Sequence, residues 1–154
     1  MMLPTFPEVR EWRRGEYRIS TDPALLDLGV LHRFLAEESY WAAGIPFETM
    51  RRAIEHSLPF GLYRGDEQVG FARLVTDYAV FAYVGDVLVL PAHRGRGLSK
   101  WLMEAMLAHP DLKGLRRWNL ATRDAHDLYR RFGFESAGSN TMDRVEPNPY
   151  GRRS

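Results

Sequence analysis

Leu90-Pro91-Ala92-His93-Arg94-Gly95-Arg96-Gly97-Leu98-Ser99-Lys100 is the stretch whose reading decides the fold. A nearly continuous apolar run, Val80–Leu90 (VFAYVGDVLVL), leads into it, and Pro91 ends that run. Such a run predicts a strand buried on both faces. On the far side, Leu98, Trp101, Leu102, Ala105 and Met106 recur at helical spacing, predicting an amphipathic helix over Gly97–Leu107. A strand therefore enters a loop with two glycines, and the loop opens straight into a helix. Backbone N–H groups of such a loop can point at one anion, and the helix N-terminus adds about half a positive charge. Arg94 and Arg96 add forked cationic donors. The ligand expected there is a phosphate or pyrophosphate.

Working outward, Glu16–Ser20 alternates like a short strand, and the first 15 residues read as a loose arm. Asp22-Pro23 reads as an N-cap and first helical residue. Leu25, Leu28, Leu31 and Leu35 carry that helix to about Glu38. Ser39–Ile45 is a turn of aromatic and small residues, and Pro46 opens a second helix to about Ser57. Phe60–Arg64, Gly65-Asp66 and Gln68–Thr76 form a hairpin pattern. Beyond the central helix, Leu115–Thr122 reads as a strand and Asp124–Arg131 as a short helix. Phe134–Ala137 and Thr141–Val145 read as two final strands, and Asn148–Ser154 as a tail. The fold class is α/β, in the mixed α+β sense: a mixed sheet of about six to seven strands, largely antiparallel in its front half, flanked by about four helices.

Composition narrows the function classes. The chain has 154 residues, 45% of them hydrophobic and 27% charged, which suits one domain and excludes a disordered chain. Lys and Arg number 21 against 20 Asp and Glu, a net charge of +1, so the basic footprint of a nucleic-acid binder is absent. No apolar run approaches the roughly 18–20 residues of a membrane helix. No signal-type core opens the chain, so the expected location is cytoplasmic. With no cysteine, thiolate metal sites and a cysteine nucleophile are excluded. No His/Asp/Glu cluster has metal-ligand spacing, so no metal is expected.

Two phosphate motifs fail against the loop. A P-loop needs Gly-Lys-Ser/Thr, and a dinucleotide fingerprint needs a third glycine where Lys100 stands. Arg94-Gly95-Arg96-Gly97-Leu98-Ser99 instead resembles the [QR]-x-x-G-x-[GA] loop of the GNAT N-acetyltransferase superfamily. The strand before the loop, the helix after it and the later Leu128-Tyr129-Arg130-Arg131-Phe132-Gly133-Phe134 match that family in order and spacing. Ser99 stands where the family has Gly or Ala, a small residue for small residues.

The resemblance implies an acetyl-CoA-dependent N-acetyltransferase that moves an acetyl group to a primary amine of a small molecule, amino acid or peptide. The amine attacks directly in a ternary complex. Coenzyme A is then held by Arg94, Gly95, Arg96, Gly97, Leu98 and Ser99, and by the backbone of Val87, Leu88 and Val89. A backbone N–H near Val87 polarises the thioester carbonyl. Tyr129 matches the tyrosine that protonates the departing thiolate; packing beside Leu128 and Phe132 is its alternative role. Asp86 is the only charge between Asp77 and His93. Family members often carry their acid one position earlier, at what is here Gly85. On an ideal strand Asp86 faces away, and a bulge at Gly85 re-aims it. The base is Asp86, Tyr83 or a water relay, and a hydrogen-bonded structural role is the alternative for Asp86. Tyr40 and Trp41, in the turn between the first helices, either wall an acceptor pocket or staple those helices together. Ser136–Met142 is the other segment expected to set specificity. His93 is expected in solvent, His126 on the surface, Trp101 in the core, and Trp118 packed beside the cofactor strand. A homodimer through the final strands fits the resemblance. The alternative functions are a non-catalytic acyl-CoA-binding or sensing module on the same fold, and a structural protein with a vestigial site.

Overall fold

A computed structural model describes residues 7–147 and 149–150. Its centre is one sheet, in chain order β1 (Glu11–Arg14), β2 (Tyr17–Ser20), β3 (Leu58–Arg64), β4 (Glu67–Thr76), β5 (Phe81–Val89) and β6 (Arg117–Leu120). The first five strands pair antiparallel and β6 lies parallel to β5. That one parallel pair needs a crossover, and α3 (Leu98–Ala108) supplies it.

The sheet is covered on both faces. On one, α3 buries Leu98, Trp101, Leu102 and Met106 against Ile19, Phe60, Leu62, Val69 and Leu74. On the other, α1 (Leu28–Arg33), the turn after it and α2 (Phe47–Glu55) bury Leu31, Phe34, Leu35, Met50 and Ile54 against Phe71 and Leu88. Phe71 and Leu88 are register partners on β4 and β5, so one cross-strand pair anchors that second layer. Among the described residues, no helix is long and apolar enough to cross a membrane.

Several sequence expectations are corrected. The arm does not stay loose to residue 15: Glu11–Arg14 pairs with β2, and Trp12 packs 5.9 Å from Phe60, ring centre to ring centre. The first helix is broken in two. Asp22 caps only a short turn over Pro23–Leu25, Leu26 turns extended, and Asp27 caps α1 by accepting from Val30 N–H. Two competing Asp caps five residues apart divide what the leucine spacing alone reads as one helix. The last turn, Phe34–Glu38, widens so that Ser39 N–H donates to Phe34 O. β5 is not buried on both faces, because Gly85–Val87 are half-exposed. Phe134–Ala137 and Thr141–Val145 form no strands. No neighbouring strand offers them a ladder, and Met142 and Val145 stand 94% and 78% exposed. Of the expected tail, Asn148 and residues 151–154 lie outside the described residues, whereas Tyr150 packs on the α1/α2 layer.

His109 ends α3 and is fully buried beside the Trp12 and Phe60 rings. Its Nδ1 accepts from Asp111 N–H, and its buried Nε2 has no partner among the described residues. Burial pushes its pKa down, with Arg10 adding to the fall and Asp111 opposing it. The ring is therefore neutral when folded, while the unfolded chain takes up a proton near the ordinary value of 6.5. Stability is full above that value and falls as pH drops through it, because only the unfolded state gains the proton. The urea midpoint should fall between pH 7.5 and 5.5. It should fall less in His109→Asn, which keeps a capping side chain but does not titrate.

Candidate active site

The site begins where β5 and β6 part. They pair only over Phe81–Val84 and Arg117–Leu120, so from Gly85 onward the β6 side of β5 has no strand beside it. A second irregularity lies on the other edge of β5. Phe71 pairs with Leu88 and Arg73 with Gly85, so Asp86 and Val87 together face Ala72 alone. That is a β-bulge. Asp86 takes φ +54°, a left-handed conformation that Asp tolerates better than most residues.

The bulge is held from two directions. Arg73 Nε donates to Asp86 Oδ2 at 2.6 Å, and Trp41 Nε1 donates to Asp86 Oδ1 at 2.8 Å. The Arg73 and Asp86 side chains are only 19% and 12% exposed, so this pair is shielded from the screening that weakens surface ion pairs. Arg73 Nη1 also donates to Ser57 Oγ at 3.1 Å, tying the end of α2 to the pair.

Beside the parted strands lies a cavity of about 540 Å³. Its floor includes Tyr83, Val84, Gly85, Asp86 and Val87 of β5. Tyr40, Trp41, Ile45 and Met50 come from the α1–α2 side; Leu120–Ala125 and Tyr129 come from the β6 side. The two rims touch: Arg123 N–H donates to Tyr40 Oη at 3.1 Å, and the Arg123 guanidinium lies 3.7 Å from the centre of the Tyr40 ring. A second cavity of about 310 Å³ shares Leu120–Thr122 and Tyr129, and extends past Trp118 to His126 and Ser136. Tyr129, on α4 (His126–Arg130), is 9% exposed and stands on the wall between the two. Burial raises its pKa, with Tyr40 and Asp124 adding to the rise, so the phenol keeps its proton at neutral pH.

The two-glycine loop sits at the end of β5. Gly95 and Gly97 have φ +79° and +72°, and a Cβ on either would meet nothing within 4 Å. Open space lies beside both, and their backbone takes a conformation that side chains resist. Gly97 is the N-cap of α3 and offers no capping side chain, so the first N–H groups of an 11-residue helix are free to meet an anion. Arg94 Nε donates to Val89 O at 3.0 Å, which pins the loop to β5. Leu98 is buried in the core, so only its backbone can face a ligand. These residues fit a pyrophosphate-bearing group.

His93 departs from expectation, being only 7% exposed. Its Nδ1 meets Tyr17 Oη at 2.9 Å, and Arg96 Nη1 donates to the same hydroxyl at 3.2 Å. The hydroxyl accepts from Arg96 and shares a second hydrogen bond with His93 Nδ1, so it ties the loop to β2 at two points. His126 is exposed and Trp101 buried, as expected.

The structure thus gathers Asp86, Val87, Tyr40, Trp41, Tyr83 and Tyr129 around one cavity. The sequence reading missed Arg73, Thr49 and Tyr150, which line it as well. A lone charge in an apolar strand was the available signal for Arg73, the same signal that singled out Asp86. Nothing local marks Thr49 or Tyr150. Among the described residues, no group of three or more His, Asp or Glu could hold a metal ion.

Comparison with known proteins places the chain. A family profile described as "Acetyltransferase (GNAT) domain" matches residues 55–136. FG08082 of Gibberella zeae, which bears an acetyltransferase name, is 34% identical over 142 residues, covering 78% of this chain and 79% of its own. A GNAT-family structure from Xanthomonas campestris pv. campestris is 50% identical, covers 96% of this chain and all of its own, and superposes with a TM-score of 0.84. A Clostridium acetobutylicum acetyltransferase structure containing acetyl-CoA shares the fold at 14% identity and TM-score 0.57, over 84% of this chain and 94% of its own. The chain belongs to the GNAT acetyltransferase family and is an acetyltransferase of that type.

Removing the Tyr17 hydroxyl leaves Arg96 and His93 without their shared partner. Tyr17→Phe should therefore cost about 1 kcal/mol, the net worth of a typical hydrogen bond. Urea unfolding measures that cost. Hydrogen exchange at Gly95 and Gly97 should speed up while exchange in β3 stays unchanged.

Proposed function

We propose that the protein transfers an acetyl group from acetyl-CoA to a primary amine on a small molecule, amino acid or peptide. The observation that carries this is the alignment of three features along β5: the glycine loop at its end, the unpaired edge beyond Gly85, and the bulge at Asp86–Val87 opening on the cavity. A long, thin ligand with a pyrophosphate at one end and a reactive carbonyl near the other fits that line. Acetyl-CoA would supply an acyl group activated as a thioester.

The chain's own residues divide the work. Backbone N–H groups of Gly95–Ser99 and the α3 N-terminus hold the pyrophosphate, with Arg94 and Arg96 nearby as cations. The edge of β5 at Val87–Val89 that has no strand beside it faces the amide-bearing arm, with Val89 O already taken by Arg94. The Val87 N–H, beside the bulge, holds the carbonyl oxygen as negative charge builds on it. Asp86 takes one proton from the acceptor ammonium, leaving a nitrogen lone pair to form the new N–C bond. Each Asp86 oxygen accepts one protein hydrogen bond and keeps a free lone pair for this. As the C–S bond breaks, Tyr129 Oη gives its proton to the sulfur. The second nitrogen proton returns through water to Tyr129 and Asp86 gives its proton to solvent, so both side chains are restored and one proton is released overall.

Two variants separate binding from chemistry. Gly97→Val forces a branched side chain into a left-handed position and between the backbone N–H groups and the expected pyrophosphate. Calorimetric titration should show acetyl-CoA affinity reduced at least about tenfold, and retained wild-type affinity would remove the loop from the site. Tyr129→Phe should bind acetyl-CoA as the wild type does, yet turn over roughly 100-fold or more slowly, the scale of general acid catalysis. Unchanged turnover would assign the sulfur's proton to another donor.

A further inference from the structure

The acetyl-transfer reading leaves one charged wall residue unused. Arg73 stands on β4 in the apolar run Phe71-Ala72-Arg73-Leu74-Val75. Its Nε bonds Asp86 and its Nη1 bonds Ser57. Among the described residues Nη2 has no hydrogen-bond partner, yet it is not sealed inside the protein. Arg73 lines the cavity, and Nη2 lies beside Gly85, which lines it too. The guanidinium lies over Gly85, 3.6 Å from where a Cβ would stand, an ordinary packing distance. The position immediately before Asp86 is thus covered by a cation.

Asp86 presents the opposite charge next to it, with lone pairs still free. The cavity wall therefore carries a cation and an anion side by side, on strands about 4.8 Å apart. Each keeps hydrogen-bonding capacity toward the same space. The complementary ligand is itself a neutral pair of opposite charges, on two groups joined to one carbon. A polycation is poorly matched, because Arg73 already neutralises Asp86 and Arg123 adds another positive charge at the rim.

We propose that the acceptor is a free α-amino acid, with its carboxylate taken by Arg73 Nη2 and its amino group by Asp86. Tyr40, Trp41 and Tyr83 then wall the space left for its side chain. This rests on the acetyl-transfer reading above and narrows its acceptor class. Arg73 is in this view a specificity-determining residue, and the amine is delivered to the bulge where Val87 lies.

The test uses the full-length protein and acetyl-CoA, with release of free thiol as the readout. The acceptors are phenylalanine, leucine, methionine and lysine, each beside its decarboxylated amine and its carboxamide. At least one amino acid should exceed its decarboxylated amine in kcat/KM about tenfold or more, as loss of a charge-assisted hydrogen bond requires. Arg73→Lys keeps a positive charge beside Asp86 but removes Nη2, so this preference should shrink toward one while the protein stays folded. Arg73→Gln should remove it as well. Decarboxylated amines or carboxamides that react as well as the acids would overturn the proposal. A preference unchanged in Arg73→Lys would overturn it too, as would acetyl-CoA binding with no member of the panel acetylated. Failure to bind acetyl-CoA at all would instead bring down the acetyl-transfer reading beneath it.

Discussion

The hydrogen-bonded ion pair between Arg73 and Asp86 fixes the centre of this molecule. Without it, the left-handed conformation of Asp86 has little to hold it, since the ladder to β4 is broken there. With it, the carboxylate is turned toward the cavity, and the same carboxylate accepts from Trp41 on the α1–α2 turn. One side chain therefore couples three elements: β4, β5 and the helical layer. Arg73 extends the tie to α2 through Ser57. The interaction sits where solvent is largely excluded, and there it counts for more than the many exposed Arg–Glu pairs elsewhere on the surface.

The cavity follows from a topological necessity as much as from side chains. Five antiparallel strands make a continuous surface, and a sixth joins parallel through α3. β6 ends after four residues, while β5 continues for five more beyond their last pairing. The unpaired length of β5 leads directly to the loop where α3 begins. Crossover helix, free backbone edge and anion cradle are thus consecutive consequences of one strand outrunning its neighbour. Open α/β sheets bind ligands at such points, because only there do backbone groups remain unsatisfied near a helix N-terminus.

Local signals were strong where they depended on short-range chemistry. The strand–loop–helix around Arg94–Ser99 was legible from an apolar run, two glycines and a helical repeat, and the structure has all three at those positions. The Gly65-Asp66 hairpin was equally legible. Failures came where two local signals competed or where a partner was needed. Asp22 and Asp27 both cap, and only packing against Phe71 and Leu88 settles which begins the buried helix. Thr141–Val145 has the alternation of a strand, but a strand exists only beside another. His93 looks exposed in a loop of charged residues and is buried because Tyr17, 76 residues away, reaches it.

The sequence by itself determined the order of elements from β3 to α4, the glycine loop, the family, and the identity of Tyr129 and Asp86 as residues worth attention. These rest on spacings of a few residues, which the covalent chain enforces directly. The tertiary structure alone decided that Asp86 turns inward, because the bulge counts residues across two strands. It also decided that Arg73 and Trp41 grip its carboxylate, and that Tyr40 and Arg123 close the rim. Those contacts join residues 13 to 83 positions apart. No local propensity encodes such distances; they are set when the sheet pairs and its two faces are covered.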